Sequence, residues 1–497
     1  MPITTNTSGQ VLDDVYVLLT NPPQSIQGVN TSAVGVVGTT SRGIPGAVYN
    51  FGDYGTFVSK LGISAADLTG PIAVQNLIRQ KSGDIYFVPV FGTTASAASV
   101  TLKDAASTSI LTLTFADTNP QTGVLDPSFG TDGNAATVTV TAGTGSEFNI
   151  AISTADGRSD TFVGLTTATA VTTINASATT CVASTPTGAG TDSPAAGVFN
   201  FSGGSNGTAA DTDYVGSTSA SGQKTGLAAL ESVGDQLSFV FAAEQSSSVV
   251  NAAVKTFGST YNCIPVICDP QGTLPSAAET DVVTQAQKGT IFAYPWQYVY
   301  DADIQQNRIA APTSIAAGVG SALGPEQSLG NKTVQGVLAT DVQLSPTDIS
   351  NLVSANLMVV GVKIPAGGIG IRNGQDSTGA QVFVTRMQYF VAKTVESGLG
   401  PYVDQLQSTS ANDPLRRNVR GSVGMFLQSL MGDPNQGYVG QIDSYSVVCD
   451  LTNNSTTTIA NDELIVDVSV NLLSNAGKIY VRANIGQGVL TTTSNAA

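Results

Sequence analysis

Apolar and polar positions along the chain alternate in more than one rhythm. Near the N-terminus, Val15, Tyr16, Val17, Leu18 and Leu19 form a strand-like run closed by Pro22-Pro23. Ser32–Gly38 and Ile85–Phe91 are apolar runs of strand length, and Asp53–Leu61 and Pro71–Lys81 between them read as helices. In the second helix Ile72, Gln75, Asn76 and Arg79 alternate with Ala73, Val74, Leu77 and Ile78. Further on, Leu237–Ala242, Cys263–Cys268 and Thr290–Tyr294 are short apolar runs separated by the helical stretches Val249–Phe257 and Ala277–Gln287. Strands alternating with helices predict a parallel α/β sheet. A small-residue helix follows at Pro312–Leu323. Ser345-Pro346-Thr347-Asp348 then opens another helix, with Ser as N-cap, Pro in the first turn and an acid beside it. Leu357–Ile364 and Gly368–Ile371 read as a hairpin-like pair around Pro365-Ala366-Gly367.

A different texture runs from Gly92 to Gly222, where Thr, Ser, Ala and Gly dominate. Segments such as Leu111-Thr-Leu-Thr-Phe115, Val138-Thr-Val-Thr141 and Phe148-Asn-Ile-Ala-Ile152 alternate with period two between turn signals. This predicts an inserted, surface-exposed all-β domain of sandwich or barrel type. In the last third, Met387, Phe390, Val391, Thr394 and Val395 mark one face of a helix over Phe383–Leu399. Asp413-Pro414 starts another helix, through Leu430. Ile442–Cys449, Glu463–Leu473 and Lys478–Ile485 read as strands. In the last of these Ile479, Val481, Ala483 and Ile485 share one face, against Tyr480, Arg482 and Asn484. The pattern describes a multidomain α/β (α+β) chain: a parallel α/β core with C-terminal strands, an inserted all-β domain, and extended N- and C-terminal arms. The expected boundaries are an arm at 1–28, core at 29–91, insert at 92–222, α/β core at 223–373, a C-terminal module at 374–475, and a strand arm with a loose tail at 476–497.

Composition narrows the chemistry. Of 497 residues 11% are charged, well under the usual ~25%. Lys and Arg number 20 against 36 Asp and Glu, a net charge of −16. Phosphate neutralisation needs a basic stripe, so nucleic acid and anionic membranes are poor partners. Arg416, Arg417 and Arg420 beside Asp413 read as a salt-bridged helix face. There is no His, which removes Ser-His-Asp and Cys-His nucleophiles, His general bases and the HExxH zinc motif. Gly203–Gly207 fits G-x-S-x-G but reads as a Gly/Ser loop.

Cys181, Cys263, Cys268 and Cys449 form no CxxC and read as idle buried thiols. Along a strand Cys263 and Cys268 would lie ~16 Å apart on opposite faces, too far to bridge. Gly216–Thr225 approaches a phosphate-binding loop, but Gln223 separates the glycine from Lys224, so it reads as a linker. Gly368-Ile369-Gly370 lacks a third glycine in register. The pairs Asp211/Asp213 and Asp301/Asp303 lack the Glu that closes a calcium loop and read as solvated turns. N-x-S/T sequons such as Asn331-Lys332-Thr333 follow from composition. No catalytic set, cofactor or metal site emerges. The start, MPITTNTSGQ, has neither the basic nor the apolar region of a signal peptide, and no apolar run of ~18 residues occurs. The expectation is a protein that begins life in a cytoplasm.

Ile26–Gly43 (IQGVNTSAVGVVGTTSRG), Ala310–Val337 (AAPTSIAAGVGSALGPEQSLGNKTVQGV), Asp443–Asn454 and Leu464–Ile485 occur in an order that resembles the contractile tail sheath proteins of myovirus-type bacteriophages. The likeness covers the two ends and the α/β middle but not the insert. It implies a mechanical, non-enzymatic subunit polymerising as helically stacked hexameric rings around a tail tube. Contraction of such a sheath drives the tube through the host envelope. Implied partners are further copies of the chain, the tail tube protein, and the baseplate and tail terminator proteins, with no direct nucleic acid and no membrane insertion. The implied place is the virion tail, after assembly in the host cytoplasm. Strands at chain ends expose unpaired N–H and C=O groups. Val15, Tyr16, Val17, Leu18 and Leu19, with Ile479, Val481, Ala483 and Ile485, are therefore the expected inter-subunit strand arms. Another virion structural protein, tail tube or capsid-like, shares much of this composition. So does a secreted β-rich adhesin or surface-layer protein, though that class carries a signal peptide.

Overall fold

Val34–Thr39, Phe239–Ala242, Ile264–Cys268 and Ile291–Tyr294 are apolar without alternation because both of their faces are covered. The structure, a computed structural model, describes residues 26–220, 222–362, 368–433 and 438–477. They belong to two units, one of Gln27–Gly398 and one that includes the described residues from Leu399 onward. The four strands are central in an eight-stranded sheet of the larger unit. Its order is Ile369–Ile371, Met358–Val362, Ile291–Tyr294, Ile264–Cys268, Phe239–Ala242, Val34–Thr39, Ile85–Val90, Tyr49–Phe51. The inner six run parallel, and the two edge strands are antiparallel. On one face Val34, Val36, Phe87, Phe239 and Phe241 pack with Leu77 and Ile315. On the other, Val37, Val88, Val240 and Ile267 pack with Val250, Val254 and Phe257 of helix Ser248–Thr260. Each such side chain contributes roughly 1.5–3 kcal/mol by leaving water.

Helix caps follow the local sequence. Asp53 accepts from the Thr56 amide at 2.8 Å before helix Tyr54–Leu61, and Ser345 and Asp348 cap helix Pro346–Ser354 reciprocally. Helix Gly70–Arg79 departs from its amphipathic reading, for Gln75 and Asn76 are buried with the apolar residues. Helix Pro312–Ser321, buried along its whole length, packs against it. A Cβ on Gly318 would stand 2.9 Å from the Gln80 Cβ, and one on Gly320 only 2.4 Å from the Phe239 ring. Small residues are what let this helix approach both a neighbouring helix and the sheet.

Within the larger unit, the Thr-rich stretch forms two antiparallel sheets. One has the order Ser159–Leu165, Phe148–Ser153, Thr137–Ala142, Gly197–Asn200. The other is Cys181–Ser184, Ser109–Thr118, Ser99–Lys103, with Leu125–Pro127 also on Ser109–Thr118. Val138, Val140, Phe148, Ile150 and Ile152 share a core with Leu111, Leu113 and Phe115. The reading of an all-β insert missed helix Ala170–Ser177, whose Ala170 and Ile174 enter that core. Its Val and Thr residues favour strands locally, and packing overrides them. Tyr214, at the end of the stretch, packs with Val37, Val88 and Val240 of the α/β core instead.

In the smaller unit, Leu415 and Val419 of helix Pro414–Leu430 pack with Tyr402 and Cys449. A four-stranded sheet has the order Tyr438–Gly440, Met431–Asp433, Ile442–Val448, Asp467–Leu472. Two of the three arginines are ion-paired, but not on one surface. Arg416 is 1% exposed, lies 3.9 Å from Asp413 as expected, and donates to the Ser408 and Ser410 carbonyls. Its position, three residues before Val419 and seven before Val423, puts it on the buried face. Arg420 lies 3.7 Å from Asp450 at the surface, and Arg417 is exposed.

Candidate functional site

In an open parallel sheet, ligands sit beyond the carboxyl ends of the strands where the strand order reverses. Here that point lies between Val34–Thr39 and Phe239–Ala242, and the protein's own groups occupy it. Thr39 and Thr69 bond reciprocally: the Thr39 amide donates to the Thr69 hydroxyl at 3.0 Å, and the Thr69 amide to the Thr39 hydroxyl at 2.9 Å. The Tyr214 hydroxyl joins Thr69 at 3.3 Å. Both Glu244 carboxylate oxygens accept from the Ala311 amide, at 3.0 and 3.1 Å, where helix Pro312–Ser321 begins. A side-chain carboxylate thus stands where helix-terminal amides take the anion of a ligand in other α/β folds. Loss of hydration pushes Glu244 up to about 7, against the pull of the Ala311 amide and Arg308.

The acidic pair Asp301/Asp303 is not a solvated turn. Asp301 is fully buried. It accepts from Ser64 Oγ at 2.6 Å and Gln75 Nε2 at 3.1 Å, and pairs with Arg308 at 3.3 Å. Asp303 takes the Ser64 amide at 2.8 Å and the Tyr54 hydroxyl at 2.5 Å. Burial alone would raise Asp301, but the Ser64, Gln75 and Arg308 contacts hold it below the usual range. With its partners satisfied, the pair ties the Gln297–Asp301 strand to helix Gly70–Arg79. Asp213 caps its own short helix by accepting from the Ala210 amide at 2.9 Å. In the Gly203–Gly207 loop Ser205 bridges to Ser96, and Lys224 pairs with Glu231. Gly370 lies in an edge strand. All four cysteines are free and buried. Burial pushes the Cys181 and Cys263 thiols up to about 12 and Cys449 up to about 11, which withholds the reactive thiolate. Among the described residues no group of three or more Cys, Asp or Glu is placed to hold a metal, and no helix is long and apolar enough to cross a membrane.

Open backbone and apolar surface do remain among the described residues. Val15, Tyr16, Val17, Leu18, Leu19, Ile479, Val481, Ala483 and Ile485 lie outside the described residues. Among the described residues, the Val29 amide donates to Thr394 Oγ1 at 3.2 Å, and Gly28 lies against the Phe390 ring. In the smaller unit Asp467–Leu472 pairs with Ile442–Val448 on one side, and among the described residues no strand pairs with its other edge. Val466, Val468, Val470 and Leu472 take one face of it by the two-residue period of a strand, yet stay only half-buried. A groove of about 580 Å³ in the same unit is lined by Leu399, Tyr402, Leu415, Val419, Leu464 and Val466. At its lip Leu406 is 97% and Val403 69% exposed. Sequence reasoning missed these two, because an isolated apolar residue in a polar loop carries no periodic signal. An unpaired strand edge is able to take up a further strand by main-chain hydrogen bonding, which needs no reactive side chain.

No family model and no curated protein matches the chain. Solved structures do. A sheath tail protein of Listeria innocua matches with a TM-score of 0.62 at 13% identity, over 91% of this chain and 94% of that one. A sheath tail protein of Desulfitobacterium hafniense gives 0.57 at 14% identity, over 93% and 100%. The contracted helical sheath of the anti-feeding prophage gives 0.53 at 11% identity, over 97% and 100%. Over more than nine-tenths of its length, this chain has the fold of these sheath proteins.

Proposed function

We propose that the chain is a structural, non-enzymatic subunit of a contractile sheath, polymerising as stacked hexameric rings around a tail tube and contracting to drive that tube through a cell envelope. The observation that carries this reading is the fold likeness, which spans more than nine-tenths of this chain and of each sheath protein compared. The self-occupied sheet crevice supports it, since the place where such a sheet takes a ligand is used for internal bonding. The open strand edge and apolar groove support self-association. In this reading Val15–Leu19 and Ile479–Ile485 supply the strands that join neighbouring copies. The tube, baseplate and terminator proteins are the other partners, and the phage tail, assembled in the host cytoplasm, is its place. The Thr-rich insert projects outward. Negative-stain electron microscopy of the purified protein tests the proposal. Wide hollow cylinders with six-fold end views are expected. Thin tubes would make it a tube protein, and monomers at every concentration and salt would overturn the reading.

A further inference from the structure

Arg42 is 3% exposed and lies 114 residues from its acidic partner. Its Nε donates to the Lys60 carbonyl at 3.1 Å and one terminal nitrogen to the Ser59 carbonyl, both in the last turn of helix Tyr54–Leu61. Those bonds fix the guanidinium on the α/β core. The other terminal nitrogen meets Asp156 Oδ2 at 2.5 Å. Asp156 sits in the turn between strands Phe148–Ser153 and Ser159–Leu165 of the Thr-rich insert. Arg158 Nε grips the same oxygen at 2.8 Å, and Arg158 reaches Asp117 of the second insert sheet at 2.8 Å. It also donates to the Thr179 carbonyl at 3.1 Å and lies over the Phe115 ring. Charges therefore alternate without a break from the core, through one insert sheet, to the other. Burial would raise the Asp156 carboxyl, yet the Thr154 hydroxyl and the two arginines hold it well below the usual range.

We infer that the chain Arg42–Asp156–Arg158–Asp117 is a latch that holds the insert in one fixed attitude on the core. Beside it the insert meets the core through a short ladder, Arg42–Gly43 against Phe129–Gly130, with the Gly43 amide on Ser128 Oγ at 3.1 Å, the Asp132 amide on the Ser41 carbonyl at 3.2 Å, the Val48 amide on Gln121 Oε1 at 3.3 Å and the Phe91 and Phe129 rings 5.9 Å apart. A buried guanidinium whose charge is met by the insert adds a charged tie to these contacts, because swinging the insert away strands that charge. In any regular array of copies, the latch makes each one present its insert at the same angle.

The test uses the full chain with spin labels on Val163→Cys in the insert and Val249→Cys in the core, both exposed in the parent. Pulsed dipolar spectroscopy should give one narrow distance in the parent and a broad distribution in Arg42→Met and Asp156→Asn, with far-UV circular dichroism unchanged. Asp156 lies in a turn and its side chain is 22% exposed, so Asp156→Asn leaves the insert core intact and decides the matter if Arg42→Met misfolds. A narrow, unshifted distance in Asp156→Asn would overturn the latch and assign the insert's attitude to the short ladder.

Discussion

Replacing Asp269 by Asn should stabilise the protein at pH 8 and not at pH 4. Asp269 follows strand Ile264–Cys268, is 2% exposed, and its Oδ2 has no hydrogen-bond partner. Burial, then the charge and the carboxyl of Asp281 on helix Pro275–Thr284, push it up to about 7. The unfolded chain releases this proton near pH 4, while the folded protein keeps it until about pH 7. The contribution to stability is therefore intact below about pH 4, declines as pH rises from 4 to 7, and stays lost above that. Three pH units at ~1.4 kcal/mol each set an upper limit of ~4 kcal/mol, and relaxation of the site with water entry brings the expected loss to ~2 kcal/mol. Asparagine is neutral throughout and can donate an N–H to Asp281. Thermal melts of parent and Asp269→Asn at pH 4, 6 and 8 measure the difference directly. The midpoint gap should open with pH to a few degrees. Because Glu244 titrates in both proteins, the subtraction isolates Asp269. A gap that does not change between pH 4 and pH 8 would refute the protonated carboxyl.

Phe87→Ala in the sheet core should cost ~3–5 kcal/mol, read from the denaturant midpoint. Gly320→Val should abolish soluble protein, or lower the melting temperature sharply, because a Cβ there already meets the Phe239 ring at 2.4 Å. Removing residues 1–20, or separately everything from Lys478, should leave folded subunits that form no long cylinders; normal polymers from both truncations would contradict the arm assignment. Excising 96–205 with a Gly/Ser linker, together with Arg42→Met so that no buried charge is stranded, should leave polymerisation intact in electron micrographs. Tyr214 must stay, since it packs in the α/β core. Mass spectrometry after alkylation under native conditions should find four unmodified thiols, and a Cys263–Cys268 bridge would contradict the strand placement.

Much of this molecule could be read locally. Unbroken apolar runs at Val34–Thr39, Phe239–Ala242 and Ile264–Cys268 announce strands covered on both sides, and the helices between them dictate parallel pairing. Ser345 and Asp348 mark a helix start because capping is settled within four residues. The missing His excludes whole reaction classes whatever the fold. Other features depend on partners far away in the chain. Gln75 and Asp301 are polar groups whose burial is tolerable only because each satisfies the other across 226 positions. Helix Ala170–Ser177 has strand-like composition, and its core neighbours decide its form. Arg416 looks like surface charge until the Ser408 and Ser410 carbonyls are folded against it. The Arg42–Asp156 pair joins a short core strand to a hairpin more than a hundred residues later, and the crevice at the sheet reversal is closed by residues from five separate segments. Periodicity, capping and composition act within a few residues, so the sequence alone determined most of the elements and excluded the chemistry that needs His. Satisfaction of buried polar and charged groups is a condition on the whole assembled chain, so only the tertiary structure decided which carboxylates, arginines and edges are used up inside and which are left exposed.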